Sequence, residues 1–294
     1  MKNLPYQEAQ LHNTAVALGK FQGLHRGHLL LVDKILELAK NEGLISTLFT
    51  ININNSKMIN TRLDREDILR ELGVDVQVEC DFSPEFASMR PYDFIKYVLY
   101  EKLGAKYVVV GTDFCFGYKR MGNVDTLLDY QEKFGYKVIA IDKLSLDGHI
   151  VSSSAIREFI QSGNIKQANL YMGRNYFIKG TVVEGKQLGR TLDFPTINQL
   201  PHEDKLLPPY GAYETRTIVD GRIYKSITNI GNNPTVSDKN NITIETHIID
   251  YQGDLYGKIV KVEFINYIRE QKRFHNVEEL REQLILDKKY VGHQ

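Results

Sequence analysis

The hydrophobic pattern of the chain changes once, near residue 170, and this change constrains the fold more than any other feature. Before it, short apolar runs at residues 15–19 and 107–110 alternate with longer segments such as 28–39 and 124–134. Apolar residues in the longer segments recur every three to four positions, which predicts helices. Strands that alternate with helices indicate a parallel sheet with right-handed crossovers, which binds ligands beyond the carboxyl ends of its strands.

Beyond residue 170 the chain becomes rich in strand-like runs. These runs cover residues 177–183, 213–219, 223–230, 242–249 and 259–268. The dipeptide Asp220-Gly221 between two of them predicts a tight hairpin. Consecutive antiparallel strands favour a small barrel, and a helical pattern over residues 277–286 closes the chain. We therefore predict an α/β domain over residues 1–170 and an all-β domain over residues 171–294.

Charge and composition exclude several classes of protein. The 294 residues carry 37 basic and 37 acidic side chains, so the formal net charge is zero. A neutral chain argues against a nucleic-acid partner, which usually requires a basic protein. Apolar runs are too short to cross a bilayer, which takes about 20 residues, and the first residues lack the apolar stretch of a signal peptide. Cys80 and Cys115 fit no metal spacing and are too few for a disulfide framework. Together these features predict a cytoplasmic protein with no membrane partner.

The first chemically informative segment is GKFQGLHRGH, residues 19–28, which follows the first predicted strand and opens the first long helix. A helix N-terminus offers free N–H groups and a positive dipole end to an anion. Gly23 and Gly27 would let a phosphate approach the backbone. His25 and His28 are three residues apart, so they project to one side of the helix start. Two imidazoles there would stabilise charge during phosphoryl displacement, a better explanation than a turn with two surface histidines.

This segment resembles the nucleotidyltransferase signature of bacterial bifunctional riboflavin kinase/FMN adenylyltransferases. Residues 82–87, 111–117 and 151–157 resemble three further motifs of that family. The resemblance implies catalytic roles for His25 and His28. It implies nucleotide binding by Gly19, Phe21, Gly23, Gly27, Ser153, Ser154 and Arg157, and flavin binding by Asp113, Phe114 and Phe116. From the residues alone, the serine triplet at 152–154 is also a good helix N-cap, and that alternative stays open.

A second segment, residues 185–198, resembles the riboflavin kinase motif G-x-x-x-G-R-x-L-G-F-P-T-A-N. Its glycines would allow a loop to close over phosphates through backbone N–H groups. If the end of the segment is extended, Thr196 and Asn198 face one side. A hydroxyl and an amide oxygen are suitable ligands for magnesium on ATP phosphates. The resemblance implies nucleotide binding by Gly185, Gly189, Arg190, Thr196 and Asn198, the last two also as metal ligands.

A third segment, residues 242–250, alternates so that Glu245 and His247 share one face of a strand. A ribityl primary alcohol is a poor nucleophile near neutral pH, so a positioned carboxylate is a sensible base. In the family the Glu of E-x-H is the presumed base, which implies that role for Glu245. His247 either orients the site or is structural. Arg269 and Phe274 fall in a family stretch near the isoalloxazine ring, whereas residues 231–235 and 253–257 are interpreted mainly as structural.

The resemblance covers residues 14–287 and implies a specific architecture and chemistry. A Rossmann-like nucleotidyltransferase domain would precede a six-stranded riboflavin-kinase barrel with a terminal helix. The barrel would phosphorylate riboflavin to FMN with ATP and Mg²⁺, and the first domain would convert FMN and a second ATP to FAD and pyrophosphate. The expected partners are these small molecules alone, with the protein a monomer or a weak homo-oligomer.

Two departures from the family pattern keep alternatives open. Gln22 stands where the family usually has Asp, and residues 50–55 replace a D-P-H-P-like turn. One alternative is therefore a riboflavin kinase whose adenylyltransferase domain is weak or degenerate. A second is a flavin- or nucleotide-sensing regulator, which the kinase motifs disfavour. A third is another nucleotidyltransferase, such as a cytidylyltransferase, joined to an accessory barrel.

Overall fold

A computed structural model describes residues 1–53, 57–185, 194–232 and 242–292. The chain divides into two compact units. The first contains Met1–Ser56 and Asn60–Ser152, and the second contains Lys57–Ile59 and Ser153–Gln294.

The first unit is built on a parallel sheet, which confirms the predicted fold class. Its six described strands lie in the order β1-β4-β3-β2-β5-β6. They are β1 (Lys2–Pro5), β2 (Thr14–Gly19), β3 (Ile45–Asn52), β4 (Val76–Asp81), β5 (Ala105–Gly111) and β6 (Lys137–Ile141). The helices between them are α1 (Arg26–Glu42), α2 (Arg62–Leu72), α3 (Pro84–Ser88), α4 (Pro91–Asp93) with its π-helical continuation Phe94–Lys102, and α5 (Val124–Phe134). A short hairpin, β7 (Ser145–Leu146) and β8 (His149–Ile150), follows the sheet.

Local sequence sets the ends of the helices that frame this sheet. Thr61 caps α2, and its hydroxyl and the Asp64 carboxylate satisfy each other's backbone N–H groups. Gly43 and Gly73 end α1 and α2 in the left-handed conformation, with φ of 65° and 85°, which glycine adopts without a steric penalty. Because β2 is almost entirely buried between β3 and β5, the loop that follows it starts from a fixed point.

The second unit contains a closed antiparallel barrel, as the sequence predicts. Its described strands follow the order β10-β13-β12-β11-β14-β9. They are β9 (Tyr176–Val183), β10 (Thr196–Pro201), β11 (Gly211–Val219), β12 (Arg222–Asn232), β13 (Ile242–Ile248) and β14 (Ile259–Glu270). Asp220 and Gly221 form the predicted hairpin, with φ of 48° and 77°. The terminal helix α8 (Val277–Gly292) is longer than predicted.

Hydroxyl groups fill part of the barrel interior. Thr228 Oγ1 lies 2.9 Å from Thr215 Oγ1 and 2.9 Å from Thr246 Oγ1, and Thr215 also meets Ser226 at 2.8 Å. Since successive side chains of a strand point to opposite faces, residues on either side of Thr246 lie on the outer face of the barrel. Glu245 is one of them.

Two helices precede the barrel within the second unit. They are α6 (Ser153–Gln161) and α7 (Ile165–Met172). The Asn169 amide of α7 donates to the Phe264 carbonyl of β14 at 2.8 Å and accepts from the Tyr176 N–H of β9 at 2.7 Å. The structure thus groups α6 and α7 with the barrel, whereas the predicted first domain, residues 1–170, contains α6 and most of α7. The boundary at residue 170 stays a prediction.

Candidate active sites

The loop between β2 and α1 carries the first candidate site. Phe21 and Leu24 are fully buried, and both have positive φ, of 46° and 40°. A Cβ atom on Gly19 would lie 3.1 Å from the Phe21 ring. Packing therefore explains why glycine is needed at position 19, in addition to any approach by a phosphate.

His25 and His28 lie together at the start of α1. His25 is the N-cap residue, and its Nδ1 accepts a hydrogen bond from the His28 backbone N–H at 3.3 Å. The two rings stack with centroids 3.7 Å apart, and Phe21 lies 5.1 Å from His28. Because Nδ1 of His25 is the acceptor, a neutral His25 ring carries its proton on Nε2. A Cβ on Gly27 would lie 3.3 Å from the His25 ring. The predicted pairing is thus present, and the catalytic roles stay predictions.

The predicted flavin residues after β5 divide between surface and core. The Asp113 carboxylate is exposed and lies 2.9 Å from Lys143 Nζ. Phe114 is half-buried and stacks on Phe116 at 5.7 Å. Phe116 is buried and packs against Phe94 at 5.1 Å. Asp113 and Phe114 therefore remain better placed than Phe116 to contact a ligand.

The altered stretch at the end of β3 contains a buried polar contact that sequence reasoning missed. Arg65 of α2 is only 2% exposed, and it donates to Asn52 Oδ1 at 3.0 Å and to Glu79 of β4. Burial lowers the pKa of Arg65, and the Glu79 carboxylate opposes that shift. Residue spacing within α2 does not show that the Arg65 side chain reaches two strands.

Ser153, Ser154 and Arg157 lie on α6, in the second unit. The helix begins at Ser153, as predicted. The Arg157 guanidinium donates to the Lys57 carbonyl, and burial lowers its pKa. Triphosphate binding by these residues stays a prediction.

The second candidate site is a row of side chains on the outer face of the barrel. Asn198 of β10 pairs with Glu245 of β13, which pairs with Asn229 of β12, and Thr196 pairs with His247 one step along. Directly opposed residues in antiparallel strands have Cβ atoms about 4.5–5.5 Å apart. The structure thus brings Thr196, Asn198 and Glu245 together. Sequence reasoning missed Asn229, although its alternation with buried Thr228 was a usable signal.

His247 is fixed by its main-chain partner. Its Nδ1 lies 2.9 Å from the Pro195 carbonyl, so Nδ1 carries a proton and Nε2 a lone pair. Nε2 is buried without a hydrogen-bond partner among the described residues, and the Phe194 ring is 5.1 Å away. Burial lowers the pKa of His247, which keeps the ring neutral. The hydrogen bond holds the residue next to Thr196, which favours the orienting role over a purely structural one.

The structure describes only some residues of the predicted phosphate-binding segment 185–198. A Cβ on Gly185 would overlap the Asn198 side-chain amide, so the chain approaches Asn198 closely there. Gly189 and Arg190 lie outside the described residues. Within the described ranges, no group of three or more His, Cys, Asp or Glu residues could hold a metal ion. A hydroxyl and an amide oxygen fit a magnesium ion whose remaining ligands are phosphates and water.

A cavity of about 400 Å³ opens beside Thr196 at the end of the barrel. Its lining consists of Val182, Pro195, Thr196, Ile197, Thr246, Ile248 and Tyr251–Tyr256. A Cβ on Gly253 would lie 2.5 Å from the Tyr251 hydroxyl. The turn at 253–257, interpreted mainly as structural from sequence, therefore forms one wall of this cavity.

Arg269 of β14 extends the row of side chains toward α8. Ala212 of β11 pairs with both Asn229 and Arg269, which places the three residues on one face of the sheet. Arg269 donates from Nε and Nη2 to Asp287 of α8, at 3.1 and 2.7 Å. Phe274 is half-buried just beyond β14. Flavin binding by Arg269 and Phe274 stays a prediction.

Comparisons with known proteins cover both units. Residues 172–293 match the family model described as riboflavin kinase, and residues 7–155 match that described as FAD synthetase. A solved structure, of a Streptococcus pneumoniae protein described as a macrolide-efflux protein, covers 100% of both chains with a TM-score of 0.89 and 26% identity. In the part of this chain that the structure describes, every helix is too short or too polar to cross a membrane.

Two relatives are bifunctional riboflavin kinase/FMN adenylyltransferases. The Bacillus subtilis protein is 32% identical, over 94% of this chain and 90% of its own length. The Escherichia coli K12 protein is 30% identical, over 95% and 92%. With both family models matched and these relatives aligned over most of their length, the chain belongs to the bifunctional riboflavin kinase/FMN adenylyltransferase family.

Proposed function

We propose that this chain phosphorylates riboflavin to FMN in its barrel and adenylylates FMN to FAD in its first domain. The observation that carries the proposal is the row formed by Asn198, Glu245 and Asn229 beside Thr196 on one face of the barrel. The presence of both family domains supports both activities rather than a kinase alone or a sensing regulator. The substrates are riboflavin, FMN and ATP.

In the kinase reaction, Glu245 acts as the general base. Its carboxylate takes the proton of the ribityl 5′-hydroxyl while the oxygen attacks the γ-phosphorus of ATP and ADP leaves. Phosphoryl transfer depends mainly on positioning and charge neutralisation. Asn198 and Asn229, on either side of Glu245, orient the two substrates around it.

The cavity beside Thr196 receives the ATP of this reaction. Its apolar wall of Val182, Ile248 and Leu255 suits a purine ring, and Thr196 is part of its lining. Thr196 and Asn198 would hold a magnesium ion, which neutralises phosphate charge when bound. His247 keeps the preceding residue, Pro195, in place through its Nδ1 hydrogen bond.

In the adenylyltransferase reaction, the FMN phosphate attacks the α-phosphorus of ATP and pyrophosphate leaves. The nucleophile is already an anion, so this step needs no side-chain base. The N-terminus of α1 with His25 and His28 stabilises the phosphate charge that develops. The resemblance adds Ser153, Ser154 and Arg157 as triphosphate-binding residues. Because ATP is a substrate of both reactions, we place the protein in the cytoplasm, as a monomer or weak homo-oligomer.

Product chromatography tests the proposal. The purified chain is incubated with riboflavin and Mg-ATP, and separately with FMN and Mg-ATP. We expect FMN and FAD in the first reaction and FAD in the second. FMN alone would limit the function to the kinase, and the absence of both products would contradict the proposal.

Two variants assign the reactions to the sites. Glu245→Gln should lower FMN formation by about 10²–10⁴-fold, the usual contribution of a general base, and leave the conversion of FMN to FAD intact. His28→Ala should do the reverse. Each variant is the control for the other, and full kinase activity in Glu245→Gln would remove Glu245 from the mechanism.

A further inference from the structure

Asn60 holds the loop between β2 and α1 through two consecutive carbonyl groups. Its backbone N–H donates to the Gln22 carbonyl at 3.2 Å, and its side-chain amide donates to the Gly23 carbonyl at 2.8 Å. Asn60 is 1% exposed and directly precedes Thr61, the N-cap residue of α2. The contact therefore joins the rigid start of α2 to the middle of the loop.

The residues that flank these two carbonyls have an unfavourable backbone conformation. Phe21 has a φ of 46° and Leu24 a φ of 40°. Positive φ is uncommon for residues other than glycine and persists only where the surrounding structure enforces it. The two hydrogen bonds from Asn60 act between Phe21 and Leu24, so they oppose the relaxation of the loop.

The shape of this loop fixes the orientation of the candidate catalytic groups. His25 follows Leu24 directly and caps α1, and His28 lies in the first turn with its ring stacked on His25. A rotation of the backbone at Leu24 would turn both rings and the backbone N–H groups of the first turn together.

We propose that Asn60 is a positioning residue for adenylyl transfer. By binding the Gln22 and Gly23 carbonyls, it keeps the strained loop in the one shape that aims the N-terminus of α1, His25 and His28 at the phosphates. The inference rests on the adenylyltransferase activity proposed above.

A further feature of Asn60 allows its effect on the position of the loop to be measured apart from its effect on folding stability. Its Oδ1 is buried and has no hydrogen-bond partner among the described residues. A buried acceptor without a partner is unfavourable. Asn60→Ala removes this acceptor along with one hydrogen bond, so the two effects on stability oppose each other. The Asn60→Ala chain still loses the hydrogen bond to the Gly23 carbonyl that holds the loop.

The test uses Asn60→Ala and Asn60→Asp in the full chain. The Asp side chain keeps the shape of Asn but places an oxygen against the Gly23 carbonyl. A small displacement of positioned groups can reduce a rate by about 10²-fold. We expect kcat for FAD formation from FMN to fall by about 10–100-fold in both variants, with KM for ATP changed less and riboflavin phosphorylation unchanged.

Thr61→Ala is the matched control, because it lies next to Asn60 and weakens the start of α2 without touching the loop. It should lower the melting temperature and keep kcat for FAD formation. Retained kcat in both Asn60 variants, or a loss no greater than that in Thr61→Ala, would overturn the inference. A wild-type chain that makes no FAD from FMN would instead refute the proposed activity and the inference with it.

Discussion

His247 lies on the outer face of the barrel and is held neutral by its surroundings. Burial lowers its pKa below the ordinary value of 6.5, an effect that the nearby Lys288 ammonium reinforces and the Asp250 carboxylate and the Pro195 carbonyl oppose. The unfolded chain therefore binds a proton near and below pH 6.5 that the folded chain does not. The linked stability is fully present above that pH and is lost as the pH falls toward the lower pKa of the folded state.

This linkage gives a testable pH dependence. Replacing His247 with Gln should flatten the fall in unfolding free energy below a pH of about 6.5, measured by urea titration. His149→Gln, the same exchange at an exposed position, is the matched control. An unaltered slope in His247→Gln would contradict the assignment.

Residue spacing predicts the contacts that lie within one element or on one face of a strand. The interval between His25 and His28 indicates their proximity, and the alternation at 244–248 places Glu245 and His247 together. The contacts of Asn60 with Gly23 and of Arg65 with Asn52 join residues 37 and 13 positions apart. Such contacts depend on how helices dock on the sheet, which local patterns do not encode.

At the scale of elements, the proposed kinase site depends on the close approach of Gly185, just after β9, to Asn198 of β10. Gly185→Ala would push a Cβ atom into the Asn198 amide. Overpacking of this kind typically costs about 1–3 kcal/mol, so we expect kcat/KM for Mg-ATP in FMN formation to fall about tenfold or more.

The control for this change is Gly292→Ala at the end of α8, where a Cβ atom meets nothing within 4 Å. Its kinase activity should equal that of the wild-type chain. Wild-type kcat/KM in Gly185→Ala would contradict this prediction, because the added Cβ atom would then be accommodated without displacing Asn198.

The terminal helix is attached to the barrel by a buried ion pair. Asp287 is 2% exposed and accepts two hydrogen bonds from Arg269. Removing one partner of a buried pair leaves an uncompensated charge, so Asp287→Ala should lower the free energy of unfolding by about 3–5 kcal/mol. Urea unfolding measures this difference.

An exposed pair provides the comparison. Glu66 and Arg70 lie 2.7 Å apart on α2, with Arg70 half-exposed at 53%. Glu66→Ala should cost less than about 1 kcal/mol. Similar costs for Asp287→Ala and Glu66→Ala would mean that the pair under α8 is not an important attachment.

Sequence patterns predict most of these elements because their ends carry local signals. Gly135 terminates α5 directly after the predicted helical segment 124–134. The strand β1 was missed because its four residues form an edge strand with little burial. The π-helical turn geometry at Phe94–Lys102 was also missed, since the same apolar spacing is compatible with an α-helix.

At the scale of the whole molecule, the two reactions are linked by a small product that can leave one chain and enter another. A mixture of the Glu245→Gln and His28→Ala proteins should therefore form FAD from riboflavin, although each alone should form little. The second supplies FMN, and the first converts it. Chromatography of the mixture checks this complementation, and FAD no higher than in the single variants would contradict it.

Charge balance also has a molecular consequence. With 37 basic and 37 acidic side chains, long-range attraction of ATP and FMN is weak. Anion binding must then come from short-range groups such as the α1 N-terminus. The neutral sequence predicts that short-range groups, rather than net charge, bind the anions. It does not predict that α6 and α7 pack with the barrel, because that depends on the contacts of Asn169.

The hydroxyl groups inside the barrel restrict how its sequence can change over evolutionary time. Thr228 is bonded to both Thr215 and Thr246, and each hydroxyl in such a chain satisfies its neighbours. Exchange of Thr228 for a hydrocarbon side chain leaves Thr246 without its hydroxyl partner, which costs more than exchanging both. Substitutions at these positions in related barrels should therefore occur in pairs, so this interior would be inherited as a unit rather than residue by residue.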